Sequence, residues 1–232
     1  MNPLLRPRWI IGHLLALTAV LGFVRLGVWQ LDRHEEKTDL RDAVAAGQAL
    51  PPLDIAEAPE GSFRRVVAIG TYDGSLQTVV LRSHEGSSGY RVLTPLVVDG
   101  GSAVLVDRGW IPLDFDPPAP PEDLVKADGV LWPAESGASP PDEFPRVMRR
   151  IDPALLAPFA AYRLRGDYLV LAPPPVPEPF PIQGDVPEVG LGPHLGYAGQ
   201  WFLFAGVVLV GYPLLLRRAL RRDGLAPVAT PL

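Results

Sequence analysis

WIIGHLLALTAVLGFVRLGV, residues 9–28, and YAGQWFLFAGVVLVGYPLLL, residues 197–216, decide the architecture of this 232-residue chain. About twenty apolar residues at roughly 1.5 Å each match a hydrocarbon core of about 30 Å. Arg6 and Arg8 precede the first run, and Arg217, Arg218, Arg221 and Arg222 follow the second. Basic flanks stay on the cytoplasmic side of a membrane, so the pattern predicts both termini inside and the intervening segment outside. The expected organisation is a cytoplasmic N-terminus (1–8), a first transmembrane helix (9–29), an extracytoplasmic domain (30–195), a second transmembrane helix (196–216) and a basic cytoplasmic tail (217–232). Trp9 and Trp29 are 20 residues apart, about 30 Å along a helix, which suits two interfacial aromatic belts. No convincing A-x-A cleavage site follows the first run and the helical pattern continues past it, which favours a retained helix over a cleaved signal peptide. No presequence precedes it either, so the expected location is a bacterial plasma membrane.

Charge divides along the same lines. From Asp32 to Glu188 there are 14 Lys and Arg against 25 Asp and Glu, a net of −11. The two ends carry six Arg and one Asp, and Arg25 lies inside the first apolar run. An acidic outer domain argues against nucleic acid as a partner and against docking on anionic lipid. Cysteine is absent, which excludes disulfides, zinc–thiolate sites and covalently attached c-type haem. Methionine occurs only at Met1 and Met148, so a Met-rich copper site is excluded as well.

After Trp29 the sequence LDRHEEKTDLRDAVAAGQ is highly charged and has no Gly or Pro before Gly47. It reads as a helix rising out of the membrane and ended by Pro51-Pro52. Four β-like runs follow, Phe63–Tyr72, Gln77–Ser83, Tyr90–Val98 and Ser102–Pro112, rich in Val, Leu and aromatics. Asp73-Gly74 and Asp99-Gly100-Gly101 have hairpin-turn chemistry, so the series predicts an antiparallel meander. Asp114–Pro121 reads as a loop, and Gly129–Trp132 and Tyr168–Ala172 as two further strands of the same sheet. Asp152 followed by Pro153 opens a short helix over Asp152–Ala161, and Pro173–Pro181 reads as an extended polyproline tether leading back to the membrane. The expected fold class is a membrane protein with two transmembrane α-helices flanking an extracytoplasmic, mainly antiparallel β (α+β) domain.

His194 is the most informative side chain. It lies in GPHLGYAGQWFLFA at the outer mouth of the second run. With a helix starting near Pro193, His194, Tyr197, Trp201 and Phe204 fall on one face at spacings of 3, 4 and 3. The positive end of that helix disfavours an imidazolium, and the neutral ring is the form that binds metal. A neutral imidazole above a membrane-embedded aromatic strip suits an axial bond to haem iron. An interfacial histidine that hydrogen-bonds its neighbours is the alternative reading.

GPHLGYAGQWFLFA resembles the second-helix motif of the surfeit locus protein 1 family, membrane proteins required for assembly of haem–copper cytochrome c oxidase. LGVWQLDRHEEK at the end of the first run is similar to that family's Gly-x-Trp-Gln…Arg…Lys signature, through Gly27, Trp29, Gln30, Arg33 and Lys37. Gly89–Val98 (GYRVLTPLVV) resembles its first sheet motif and Val104–Pro112 (VLVDRGWIP) its second. Residues 113 to 167 match nothing in the family pattern. The resemblance implies an assembly factor rather than an enzyme, one that delivers haem A to the oxidase's haem-bearing catalytic subunit or stabilises it there. Oxidase subunits and the lipid bilayer are then its partners. The same resemblance implies a transient haem A site with His194 as iron ligand and Tyr197 and Trp201 as pocket walls. A scaffold that holds an oxidase intermediate without haem is the second reading.

Other residues have plainer roles. Arg108 and Trp110 fall on one face of their strand, as a partner-facing surface or as an Arg packed over an aromatic. Gly89 is expected at a strand entrance and Gly109 beside a bulge. Trp29 reads as an interfacial anchor, and Arg25 snorkels to lipid phosphate or pairs with a haem propionate. His13 lies about 24 Å along the helix from Trp29, too far to share a site with His194. His34 and His84 read as solvated. His84, Asp107 and a serine lack a nucleophile-elbow context, and neither HExxH nor a glycine-rich phosphate loop occurs, which argues against catalysis.

Overall fold

The computed structural model describes residues 7–98, 101–137, 139, 141–174, 179–184 and 186–223. It divides into two compact units, one made of the helical segments up to Arg41 and from Val189, the other of residues 42–188. Helix α1 (Pro7–Ala49) is unbroken, because the charged stretch after Trp29 has nothing to stop a helix before Pro51-Pro52. Helix α2 (His194–Asp223) contains Pro213. Both are long and apolar enough to cross a membrane.

In the helical unit, the more buried positions of α1 include Ala16, Val20, Phe23, Gly27 and Gln30, spaced alternately by four and three residues. On α2 they are His194, Ala198, Trp201, Ala205, Val208 and Tyr212, with the same alternation. That repeat is the seam of two helices packed nearly antiparallel with interdigitating side chains. Leu15, Leu203 and Val210, off the seam, are 66%, 64% and 64% exposed.

The second unit is an eight-stranded sheet. Its strands are β1 (Leu53–Asp54), β2 (Arg65–Tyr72), β3 (Thr78–His84), β4 (Ser87–Val98), β5 (Ser102–Pro112), β6 (Val125–Pro133), β7 (Val147–Met148) and β8 (Arg163–Leu171). The order is β1-β2-β6-β8-β5-β4-β3-β7, with β2 also pairing β4. That extra pair closes a ring of five strands, β2-β6-β8-β5-β4, so each has a neighbour on both sides along part of its length. Strand β4 uses one edge twice, pairing β3 up to Leu93 and β2 from Leu96. Pro95, with no N–H to offer a ladder, falls at the change of partner. Strand β5 is buried along almost its whole length, with Val104 and Val106 in one apolar cluster and Leu105 in another.

Consecutive strands pair at β1–β2, in parallel, and at β3–β4 and β4–β5, but not at the other steps along the chain. β2 and β3 do not pair, and Asp73-Gly74 is no hairpin turn. Asp73 instead caps a 3-10 turn over Gly74–Leu76, and β2 pairs antiparallel with β6 and β4. The two short runs around Gly129 and Tyr168 do belong to the sheet, as β6 and β8, but β8 joins β5 in parallel. A parallel pair needs a long crossover, and residues 113–162, with β6 and β7, supply it. Asp152 caps as its sequence suggests, accepting from the Ala154 N–H at 3.0 Å. The helix it opens is only two 3-10 turns, Pro153–Leu155 and Ala157–Phe159. Part of the Asp99–Gly101 turn and residues 175–178 of the proline-rich stretch lie outside the described residues. The end of that stretch returns to the sheet, where Ile182 and Trp110 exchange backbone bonds of 2.8 and 2.9 Å.

Gly109 does sit at a bulge, with φ of 120°. The register steps from Leu93↔Asp107 to Arg91↔Trp110, so Arg108 and Gly109 both stand opposite Val92. Arg108 and Trp110 therefore point to opposite faces, against the strict alternation assumed from sequence. His84 is half-buried against the Trp110 indole, ring centroids 5.3 Å apart, and is not freely solvated; His34 is half-buried too.

Asp73 also accepts from the Ser75 N–H at 3.0 Å and from the Tyr162 hydroxyl at 2.8 Å, a residue far along the chain. Burial pushes its pKa up, but the bonds from Ser75, Tyr162 and Leu76 outweigh that and hold it below the ordinary carboxylate value. A depressed carboxylate stabilises the fold above its unfolded pKa of about 3.9, and the contribution disappears as pH falls through the folded value. Asp73→Ala should cost about 1 kcal/mol at neutral pH. Melting curves of the two proteins should converge below about pH 4; a gap independent of pH would assign the loss to packing alone.

Candidate functional site

At one end of the helix seam His194 opens α2 with a first-turn bond, the Tyr197 N–H donating to the Pro193 carbonyl at 3.1 Å. Its Nδ1 lies 2.8 Å from Oε1 of Gln30 on α1. With the amide in this orientation Oε1 accepts, which places the proton on Nδ1 and leaves Nε2 its lone pair. Gln30 is 9% exposed, and a buried amide of this kind orients its partner ring rather than merely solvating it. Gly192 sits beside the free nitrogen. A Cβ there would lie 3.1 Å from His194 Nε2, and the backbone adopts φ of 64°. A side chain at 192 would both strain the chain and cover the nitrogen. A neutral imidazole nitrogen next to a residue without a side chain has the chemistry for one bond to a metal.

Farther along the seam are the aromatics. Trp201 stacks on Phe23, with centroids 5.7 Å apart and planes 24° from parallel. Phe204 meets both rings, at 5.9 Å from Trp201 and 5.7 Å from Phe23. Gly27 permits the close approach, since a Cβ there would lie 2.6 Å from the Phe202 ring. The face predicted for α2 is thus rotated in part. His194 and Trp201 lie on the seam, but Ala198 and Ala205 complete it, while Tyr197 and Phe204 stand at its exposed flank, 49% and 38% accessible. At the other end His13 Nδ1 lies 2.8 Å from the Tyr212 hydroxyl, so this histidine has its own partner, apart from His194.

Sequence reasoning quoted Gln30 as part of a motif and gave it no role. The signal was its place, two residues past the apolar run and on the stripe of Phe23 and Gly27. Trp29 is half exposed, as an interfacial anchor would be, and Arg25 is exposed.

Arg108 and Trp110 are buried in the β domain, 8% and 5% exposed. Arg108 packs over the Tyr72 ring at 5.5 Å, which is the second of its two sequence readings. Trp110 Nε1 donates to the Arg82 carbonyl at 3.0 Å, and its indole covers Gly89, where a Cβ would come within 2.4 Å. Gly89 therefore serves this packing inside β4. Asp107 pairs with Arg91 and accepts from the Gly109 N–H at 3.0 Å, so it serves the bulge.

The SURF1 family model matches residues 17–206 of this chain. The chain belongs to the SURF1 family. It is 31% identical to an uncharacterised SURF1-like protein of Mycobacterium tuberculosis, over 90% of this chain and 83% of the relative. It is 32% identical to Surfeit locus protein 1 of Takifugu rubripes, over 38% of this chain and 45% of that one. The cytochrome oxidase assembly protein SHY1 of Saccharomyces cerevisiae is 27% identical over 44% of this chain and 28% of its own. The stretch matched to the SURF1 family takes in Gln30, His194, Tyr197 and Trp201, and the bulge at Gly109.

A free neutral histidine in water favours the Nε2–H tautomer, and the Gln30 acceptor reverses that preference. Nitrogen-15 shifts of the His194 ring in this SURF1 protein should report Nδ1–H, and Gln30→Leu should return the ring to Nε2–H. An unchanged tautomer in that variant would mean Gln30 does not orient the ring.

Proposed function

We propose that this SURF1-family protein is an integral membrane assembly factor for cytochrome c oxidase that carries haem A as cargo, with His194 Nε2 as its iron ligand. The observation that carries the reading is the His194–Gln30 bond, which directs a bare imidazole nitrogen away from its partner and beside Gly192. Membrane insertion is supported by the outward apolar side chains of both helices, among them Leu15, Leu203 and Val210, since soluble proteins do not leave such long faces to water. Both termini then lie in the cytoplasm of a bacterial cell, and the acidic β domain lies outside.

His194 would hold the haem, whose iron would accept the nitrogen lone pair. Gln30 holds the proton on Nδ1, so His194 presents Nε2 without first losing a proton. Trp201, braced by Phe23 and Phe204, offers a flat apolar surface in the half of the helix nearest His194, and Tyr197 one turn on forms the flank. One neutral ligand suits a carrier, because a cargo held by two strong axial bonds would be slow to leave. The partner is the haem-bearing catalytic subunit of the oxidase. SHY1 is named for oxidase assembly, which supports the general role.

A second reading is a scaffold that binds an oxidase intermediate without haem, and the half-buried, hydrogen-bonded state of His194 fits that role too. The reduced-minus-oxidised visible spectrum of the purified full-length protein, from cells that make haem A, separates the two. A stoichiometric a-type band should appear, fall at least about tenfold in His194→Ala, and leave helical circular dichroism unchanged. A colourless wild-type protein, or full pigment in His194→Ala, would sink the carrier reading in favour of the scaffold.

A further inference from the structure

Three guanidinium groups of the β domain are largely withdrawn from water, and only two have a carboxylate to match. Arg91 pairs with Asp107. Arg165 pairs with Asp167 through Nε at 2.9 Å, and its Nη2 also donates to the Ala58 carbonyl at 3.1 Å. Arg108 is the third. Its Nη1 donates to Gln77 Oε1 at 2.8 Å and to the Pro118 carbonyl at 3.0 Å, and its Nη2 to the Ala119 carbonyl at 3.3 Å. All three acceptors are neutral, and among the described residues no carboxylate comes within ion-pair reach of Arg108. Burial lowers its pKa, offset only in part by the Tyr72 phenol. A buried charge without a counter-charge is costly, and proteins retain one chiefly where something else supplies the partner.

Arg108 lines a cavity of about 430 Å³ together with Tyr72, Lys126, Asp128, Pro181 and Gln183. Asp128 is already engaged by Lys126, at 3.2 Å. Strand β8 ends at Leu171, and the last backbone bond on that side runs from the Ala172 N–H to the Asp128 carbonyl at 2.9 Å. Strand β6 runs on beyond it to Val125, and among the described residues no strand pairs that stretch on the β8 side, where the cavity lies. The domain's net charge of −11 between Asp32 and Glu188 discourages anions in general, so an anion is held here only by direct contact with the guanidinium.

We propose that this cavity binds the carboxylate of an acidic side chain from a partner polypeptide, which lies extended along the β6 edge beyond Asp128 and pairs with Arg108. The guanidinium fork supplies the charge-assisted bonds, and the strand edge supplies main-chain pairing that a small acid cannot use. The proposal stands apart from the haem reading, since it involves neither helix seam nor His194.

The test is calorimetric titration of the full-length, detergent-solubilised protein at constant ionic strength with the peptide acetyl-Val-Glu-Val-amide. The Gln counterpart of the peptide, acetate and inorganic phosphate serve as comparison probes. The Glu peptide should bind saturably and at least about tenfold tighter than the Gln peptide or acetate. Arg108→Gln should remove that preference. Gln183→Glu, which puts a carboxylate into the cavity wall and keeps Arg108, should weaken the Glu peptide by about tenfold even if Arg108→Gln fails to fold. Equal binding of the Glu and Gln peptides, or no effect of Gln183→Glu, would overturn the site. Acetate or phosphate binding as tightly as the Glu peptide would overturn the polypeptide as its source.

Discussion

Asp107 organises the β domain from the middle of its most buried strand. Its carboxylate meets Arg91 across the β4–β5 ladder and accepts from the Gly109 N–H two residues on. That second bond fixes the bulge. With an extra residue inserted, Arg108 turns to one face of the sheet and Trp110 to the other. Arg108 then gathers Gln77 and the loop at Pro118–Ala119, while Trp110 takes the backbone of Ile182 and the ring of His84. Loops with little secondary structure of their own are held to the sheet by the Arg108 side chain and the Trp110 main chain. A buried ion pair is not in itself a strong source of stability. Here its value is geometric, since it makes one register of β5 differ from every other.

The helical unit is ordered by a different economy. Its seam has polar contacts at both ends, Gln30 with His194 and His13 with Tyr212, and an aromatic stack with small residues between. In the hydrocarbon proposed for these helices there is no hydrophobic gain from bringing two apolar surfaces together, so close packing and hydrogen bonds would set the register. The small residues Gly27, Ala198 and Ala205 let the larger rings interdigitate. The same bonds that align the helices also orient the His194 ring, so in this unit packing and the chemistry of the candidate site share their determinants.

The legible part of the sequence was local. Two apolar runs of about twenty residues, the charged helical extension after Trp29, the strand at Ser102–Pro112 and the capping by Asp152 could each be read from neighbouring residues, because hydropathy period and cap chemistry act over a few residues. His194 stood out for the same reason, as a polar group at the mouth of an apolar run. Gln30 did not, since its role depends on a partner 164 residues away. Tyr197 was assigned to the face of Trp201 by helical spacing, which locates residues relative to one another but not relative to the second helix.

By itself the sequence determined two membrane-length helices at the ends of the chain, an acidic β-rich segment between them, and membership of an assembly-factor family through motifs in order. Only the tertiary structure decided that β2 bypasses β3 to close a ring through β6 and β4, and that β8 joins β5 in parallel. It alone separated Arg108 from Trp110 and brought Gln30 to His194. The physical reason is the same in each case. Strand pairing, bulge position and helix rotation are set by contacts between residues far apart in the chain, which only the competition among whole packings resolves.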